Sequence, residues 1–363
     1  MKGKKYDFDT HKLWWHLEDV LKWKNGKLIV PLQIDLGATL LCNQNCVYCL
    51  YQYRQKDVEA NPKKYSLSRE VYLKLMKDAG RLGVKSIAMV GDGENFAHPD
   101  TPEAIITGFK AGLDIGIATN GVNLRDAWLE DVLRSLTWIR FSICAWGNEM
   151  AKAVHRGKSN DFDVANSNLE ECVRIKREKK LKVDVGICYL LIPNMNLDGL
   201  LPMVKHARRI GVDYMYIKQF LACGKNEWNF PLELYDRCEK ALKEAETYSS
   251  DSFACVVRWH QIKHRGEKIY KHCYAPRFIM NVSGDGNIYT CGPYHGMEKF
   301  CYGNLYESDL ETILRSNRRF EVSKYIEQEF DAQKQCDSLC CRHHPINTFL
   351  WQQLHPPDHV NFP

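Results

Sequence analysis

Six short β-rich stretches alternate with helical patterns between residues 28 and 219, and this rhythm constrains the fold more than any other feature. The stretches are Leu28–Asp35, Ser86–Val90, Gly116–Ala118, Ile139–Ala145, Val183–Ile192 and Tyr214–Gln219. Between them the apolar period is helical at Leu67–Leu82 after a Ser66 cap, Asp126–Leu136, Phe162–Lys180, and Leu197–Ile210 ahead of Gly211. Strands joined by such helices form βαβ units, and hence a parallel α/β sheet. Six units in roughly 190 residues suit a partial barrel, because a complete eight-stranded one needs about 250.

The flanks read differently. Residues 1–27 pattern as an amphipathic helical extension with a Trp14–Trp15 pair, so the barrel is expected over 28–248. After the helix-like Pro231–Thr247, the run Ser249–Ser250–Asp251–Ser252 reads as a linker. A hairpin is expected from Phe278–Val282 and Asn287–Thr290, turned at Gly284–Asp285–Gly286. This region carries Cys273, Cys291, Cys301, Cys336, Cys340 and Cys341 and too little apolar content for a core of its own. A small metal-bound domain is therefore expected over 249–345, followed by a tail at 346–363.

Composition enters through exclusion. The N-terminus has no signal-peptide core and no window approaches the roughly 18 apolar residues of a membrane span, so a cytoplasmic protein is expected. The formal net charge of +5 is small, and basic pairs such as Lys179–Lys180 and Arg318–Arg319 fall on helical faces, which argues against nucleic acid. Fifteen cysteines are a surplus for such a compartment, where thiols stay reduced, and they point to metal or redox chemistry.

Cys42, Cys46 and Cys49 form C-x3-C-x2-C directly after the first strand, in LLCNQNCVYC. Thiolates at this spacing can wrap a cubane iron–sulfur cluster from one loop. Three ligands for four irons leave one iron open to a cofactor, as an open zinc position is in a catalytic site. A zinc knuckle with a distant fourth ligand such as His98, or simply buried cysteines, is the alternative.

The loop resembles the cluster-binding loop of the radical S-adenosylmethionine (radical SAM) superfamily, C-x3-C-x-aromatic-C, with Tyr48 in the aromatic place. The resemblance implies a partial (β/α)6 TIM-like barrel and a [4Fe–4S] cluster whose open iron chelates SAM. It also implies reductive cleavage to a 5′-deoxyadenosyl radical, hydrogen abstraction from substrate, and a flavodoxin- or ferredoxin-type electron donor. Gly91-Asp92-Gly93-Glu94 after strand two is similar to the family's glycine–glycine–glutamate segment that meets the SAM amino group, with Asp92 where a glycine or small residue is usual. Ala118-Thr119-Asn120-Gly121 after strand three, and Ser142 on strand four, resemble positions that bond the SAM ribose or carboxylate.

The C-terminal cysteines resemble the auxiliary-cluster extension called SPASM or, in shorter form, twitch. The resemblance implies one auxiliary [4Fe–4S] cluster on Cys273, Cys291, Cys336 and Cys341, with Cys340 as the rival fourth ligand and a structural zinc ribbon as the alternative. Enzymes of this arrangement epimerise or dehydrogenate carbohydrate-like small molecules, or modify ribosomal peptides. A short N-terminal segment favours the small molecule over a precursor peptide. For epimerisation Cys144, two residues after Ser142 and so on the same strand face, is the first candidate hydrogen-atom donor, with Cys255 and Cys301 as rivals. For dehydrogenation Arg258 resembles the place of a base, although charge pairing suits an arginine better. Lys218 and Gln219, ending strand six, are placed to bind a polar substrate.

Overall fold

The structure is a computed structural model that describes residues 6, 10–219, 232–264, 267–336 and 343–361. Seven parallel strands form the barrel wall: β1 (Gln33–Leu36), β2 (Ser86–Met89), β3 (Asp114–Thr119), β4 (Trp138–Phe141), β5 (Asp184–Leu191), β6 (Tyr214–Gln219) and β7 (Ala254–Val257). The six expected strands are present. β7 lies beyond the expected boundary at 248 and pairs with β6 from Tyr214↔Ala254 to Ile217↔Val257, so the barrel reaches past the Ser249–Ser252 linker.

Alternation along the strands separates two environments. Ile139, Phe141, Val185, Ile187, Met215 and Ile217 point outward and are completely buried beneath the helices. The intervening positions point inward and are half-exposed on β4 and β7 at Trp138, Arg140, Ala254 and Val256. A wall sealed outside and accessible inside encloses a hollow lumen. Its floor is aromatic. The Trp138 ring lies across Gly116, where a Cβ would fall 1.8 Å from it, and Tyr214 lies across Gly186 in the same way. Tyr6 packs on Tyr214 with ring centroids 4.7 Å apart.

The helices follow their caps. Arg69–Leu82 starts on Ser68, whose hydroxyl accepts from Val71 N–H, and ends at Gly83 in the left-handed region. Ser66, the expected cap, instead bonds Thr39 Oγ1 across an isolated bridge. Pro193–Ile210 begins with its proline in the first turn and ends at Gly211.

The C-terminal region is not a detached domain. The expected hairpin exists as β8 (Ile279–Val282) and β9 (Asn287–Tyr289), and β10 (Cys301–Asn304) adds to it. β8 pairs in parallel with β1, Gln33↔Ile279 through Leu36↔Val282, so one ten-stranded sheet runs through both parts. Arg54 locks the joint. It pairs with Asp285 at 2.8 Å, both side chains almost fully buried, and reaches Ser283 Oγ at 3.3 Å.

The termini also differ from expectation. Among the described N-terminal residues, helix is limited to Leu13–Trp15 and Leu17–Lys24. The expected tail is largely the helix His344–Leu354, which buries Phe349 and Leu350 against Leu13, Val20, Trp23 and Phe278. No described helix is long and apolar enough to cross a membrane.

The floor carries a direct test. Gly116→Ala places a methyl inside the Trp138 ring and should destabilise the protein by about 1–3 kcal/mol, seen as a lowered thermal midpoint. An unchanged midpoint would mean that Trp138 does not occupy the floor.

Candidate active site

The loop leaving β1 is gripped from several sides. Asn45 N–H and Val47 N–H donate to the carbonyls of His155 and Val154 at 3.0 Å each. Those carbonyls end the helix Asn148–His155 and would otherwise lack partners. Asn120 Nδ2 donates to Asn43 Oδ1 at 2.7 Å, and Gln44 Nε2 to Asp161 Oδ2 at 3.0 Å.

The grip brings three thiols into mutual electrostatic reach. Cys42 is exposed as a residue, yet desolvation of its sulfur, with the Glu94 carboxylate and Cys49 adding, pushes it up to about 12. Cys46 is pushed up by burial and by the negative charge of Cys42 and Cys49. Burial also raises Cys49. Such a trio ionises together only when a cationic centre compensates it, and iron supplies that charge. Backbone N–H groups already point at the sulfurs, Gln44 to Cys42 and Tyr51 to Cys49, both at 3.4 Å. The donor set therefore fits an iron–sulfur cluster. Among the described residues no three His, Cys, Asp or Glu side chains close round a single-ion point. His98, the candidate distant ligand, is spent locally: one ring nitrogen meets Leu67 O at 2.7 Å and the other accepts from Asp100 N–H at 3.2 Å.

His155 escaped sequence reasoning, because a lone histidine at the end of a short polar helix carries no motif. Its Nε2 accepts from Cys144 N–H at 3.0 Å, which assigns the proton of the neutral ring to Nδ1. Nδ1 lies 3.3 Å from Cys46 Sγ and 3.2 Å from Tyr48 Oη. Burial pushes its pKa down to about 4, so the ring is neutral at neutral pH and offers Nδ1–H to this pair.

Glu94 is held as an acceptor. Its Oε1 takes Thr119 Oγ1–H at 2.6 Å and Phe96 N–H at 3.1 Å, while Oε2 takes Asn120 N–H at 2.7 Å. One side of Oε2 stays open for a further donor, which suits an ammonium. Burial raises the Glu94 pKa, and these three donors oppose that rise. Gly93 lies flat on the cysteine loop: a Cβ there would fall 2.2 Å from Leu41 O. Gly91 precedes it on the same loop, half-buried. Asp92 adopts the left-handed conformation, φ 58°, that a glycine would supply. Its carboxylate meets His295 Nδ1 at 3.1 Å, with both side chains buried. Asn120 commits its amide to Asn43 and to Val122 N–H. Ser142 sits just past β4, with its N–H on Thr119 O.

Cys144 faces the cluster loop rather than open lumen. Its thiol lies 3.4 Å from Tyr48 Oη and accepts from Leu190 N–H at 3.2 Å, and the residue is fully buried. Cys188, not singled out from sequence, is on the inner face with Tyr214 and Tyr216. Cys255 packs outward among the helices and so cannot reach the lumen. Cys301 lies on β10, 3.7 Å from Asn287 Oδ1. Lys218 and Arg258 both reach the inner rim. Gln219 does not, since its amide donates to Gln261 O at 2.9 Å.

In the C-terminal part, Cys273 and Cys336 come within electrostatic reach, and burial with the Cys336 charge pushes Cys273 up to about 12. Tyr294 Oη donates to Gln335 O at 3.1 Å, tying the segment after Cys291 to the residue before Cys336. Asn347 Nδ2 donates to Cys273 Sγ at 3.2 Å. Cys340 and Cys341 lie outside the described residues. No disulfide joins the twelve described cysteines.

Comparison with known proteins agrees with this geometry. Residues 38–207 match the radical SAM superfamily, and residues 273–342 match the SPASM iron–sulfur cluster-binding domain. A GTP 3′,8-cyclase of Aquifex aeolicus is 28% identical over 211 residues, 56% of this chain and 62% of that protein, so the chain spans less than two thirds of its length. A tungsten-containing aldehyde ferredoxin oxidoreductase cofactor-modifying protein of Pyrococcus furiosus is 23% identical over 324 residues, covering 80% and 84%. Among solved structures, Streptococcus suis SuiB superposes with TM-score 0.63 at 13% identity, covering 86% of this chain and 72% of that one. Native anSMEcpe with bound AdoMet superposes with TM-score 0.59 at 13% identity, covering 91% of this chain and 98% of that one. At these identities the structures share the fold.

Two substitutions probe the cradle. His155→Leu removes the Nδ1–H donor, so the N-terminal cluster should move to a more negative midpoint potential in an EPR-monitored redox titration. An unmoved potential with the cluster intact would make His155 a packing residue. Glu94→Gln should weaken SAM binding by about tenfold or more, the worth of one charged hydrogen bond, and equal affinity in equilibrium dialysis would exclude Glu94 from the ammonium site.

Proposed function

We propose that this chain, which belongs to the radical SAM superfamily and carries a SPASM domain, abstracts a hydrogen atom from a C–H of a carbohydrate-like small molecule held in its barrel lumen. Its cofactors are a [4Fe–4S] cluster and SAM, with auxiliary iron–sulfur ligation in the SPASM part. When bound, the N-terminal cluster supplies the electron that splits SAM into methionine and a 5′-deoxyadenosyl radical.

The chain's own residues divide the remaining work. Cys42, Cys46 and Cys49 would hold the N-terminal cluster and leave it a site for SAM. Glu94 Oε2 takes the SAM ammonium, with Gly91, Gly93, Asn120 and Ser142 forming the cradle around it. Tyr48 and His155 fix the loop's inner side. Cys273, Cys291 and Cys336 hold the auxiliary cluster together with a ligand from the run containing Cys340 and Cys341. Either end of the reaction has a candidate group. Cys188, the thiol on the inner wall, would return a hydrogen atom for epimerisation, with Cys144 behind it against Tyr48; for dehydrogenation the cysteines of the SPASM part would hold a group able to take up an electron. Arg258 better suits binding than base chemistry. The absence of disulfides among the described cysteines suits a reducing cytoplasm with a flavodoxin- or ferredoxin-type donor.

One observation carries the small-molecule reading: the inner wall is accessible at polar residues while the outer wall is sealed, directly below the Glu94 cradle. Reconstituted anaerobically with SAM and a strong reductant, the wild type should form 5′-deoxyadenosine and Cys46→Ala should form none. Absence of 5′-deoxyadenosine from the wild type sinks the radical reading. With a carbohydrate-type substrate in D2O, deuterium at the reacting carbon marks epimerisation and loss of two mass units marks dehydrogenation. Turnover confined to a precursor peptide would overturn the small-molecule reading.

A further inference from the structure

The inward positions of β4 and β6 and the end of β7 bring three cationic side chains together, Arg140, Lys218 and Arg258. Arg140 projects inward from β4, its guanidinium 4.7 Å from the Trp138 ring centroid and 5.0 Å from that of Tyr216. Its Nε is buried and has no hydrogen-bond partner among the described residues. Lys218 stands one inward position above Tyr216 on β6, its ammonium 5.9 Å from that ring. Arg258 follows β7, its N–H on Ile217 O at 2.8 Å, so it rims the lumen beside Lys218. Burial, together with the positive charges of Arg140 and Arg258, pushes the Lys218 pKa down.

No ion pair joins Arg140 or Lys218 to a carboxylate among the described residues. The groups beside them are Cys188, Cys144, Tyr214 and Tyr216. Tyr214, Tyr216 and Cys144 do not neutralise the cations at neutral pH, since burial pushes Tyr214 and Cys144 each up to about 12 and raises Tyr216 as well. Two enclosed cations, Arg140 and Lys218, without an ion-paired carboxylate are costly, and such an arrangement persists where a ligand completes it.

We propose that Arg140, Lys218 and Arg258 form the binding site for a phosphate group of the substrate. The proposal rests on the small-molecule reading and names its class: a phosphorylated compound whose anion sits in the lumen. A phosphate monoester carries nearly two negative charges at neutral pH, against one for a carboxylate, and so answers more of this wall's charge. Two guanidinium groups and an ammonium are its usual partners. The aromatic floor of Trp138 and Tyr214 stops the anion below Arg140. The rest of the substrate then extends upward toward Glu94, Asn120 and Ser142, where its C–H meets the radical. Binding energy from the non-reacting phosphate thereby positions the reacting carbon.

The experiment uses the reconstituted holoenzyme with SAM and inorganic phosphate as the probe, with acetate as the carboxylate arm. Calorimetric titration should show saturable phosphate binding that weakens by about tenfold or more, the worth of one charged contact, in Lys218→Gln and Arg140→Gln. Lys218→Arg should restore it, and acetate should bind no better than chloride. The visible absorbance of the clusters reports whether each variant is folded. Wild-type protein decides independently of any variant: phosphate should slow labelling of Lys218 by an amine-reactive reagent, read by mass spectrometry, and leave the exposed Lys240 unchanged. Phosphate binding that is absent, undiminished in folded variants, or without effect on Lys218 labelling overturns the site. Acetate binding as tightly as phosphate overturns the phosphate class. Failure of the radical reading is scored separately, by 5′-deoxyadenosine, and neither result can be mistaken for the other.

Discussion

Strand β1 is hydrogen-bonded along both edges, to β2 on one side and β8 on the other, and the rest of the molecule depends on that double pairing. A strand at a sheet edge can slip or twist; one paired on both edges cannot shift without breaking two ladders. The cysteine loop leaves from its C-terminal end, so the position of the N-terminal cluster relative to the lumen is set by β1. The SPASM part is set by the same strand, through Gln33↔Ile279 and its neighbours. Both iron–sulfur regions thus take their coordinates from a four-residue element. Distances between redox centres are held by backbone pairing rather than by a hinge.

A buried ion pair and a buried aspartate–histidine contact then fix the joint's orientation. Arg54–Asp285 spans from the segment after the cysteine loop to the β8–β9 turn, and Asp92–His295 spans from the Glu94 loop to the segment after Cys291. A buried ion pair such as Arg54–Asp285 contributes little net stability against its desolvation, but breaking it leaves an uncompensated charge, so it penalises misalignment strongly. This gives a physical reason for aspartate at 92. Glycine would satisfy the left-handed backbone equally well, yet only a side chain can reach His295. The residue accepts local strain and in return links the SAM-side loop to the auxiliary part.

The barrel was legible because its outer face is apolar at every second strand position, a local signal. The strand ends shifted by a few residues and the main helices held. What escaped was non-local. β7 is four residues long after a serine-rich run, and nothing in Ala254–Val257 announces that it continues the β6 ladder. The pairing of β8 with β1 joins residues far apart in the chain and leaves no pattern in either. The helix Asn148–His155 is short and polar, and its purpose, to hold the cysteine loop with its last carbonyls and His155, exists only in the folded protein. In the candidate site, the cysteines and Glu94 stood out in the sequence because the chemistry proposed for them needs fixed residue types at fixed spacing. Arg140 was not, because one arginine on a strand looks like an ordinary polar position until alternation turns it inward.

The hollow interior follows from the same alternation. Barrel interiors of this kind are normally filled by layers of branched side chains. Here the floor is filled by Trp138 and Tyr214, which fit only because Gly116 and Gly186 leave their places empty. By register Trp138 is level with Asp184, Arg140 with Gly186 and Tyr214, Cys188 with Tyr216, and Leu190 with Lys218, so the inward positions turn from aromatic to cationic over two levels. Long cationic side chains lie against the aromatic rings of this wall and repel one another across the space that aliphatic ones would close. The floor therefore limits the depth of the lumen, while the cations keep it open and give it a sign. On the proposed reading, substrate choice lies with the inward positions of β4–β7, and radical generation with the loops after β1, β2 and β3. The two functions occupy different strands of one sheet.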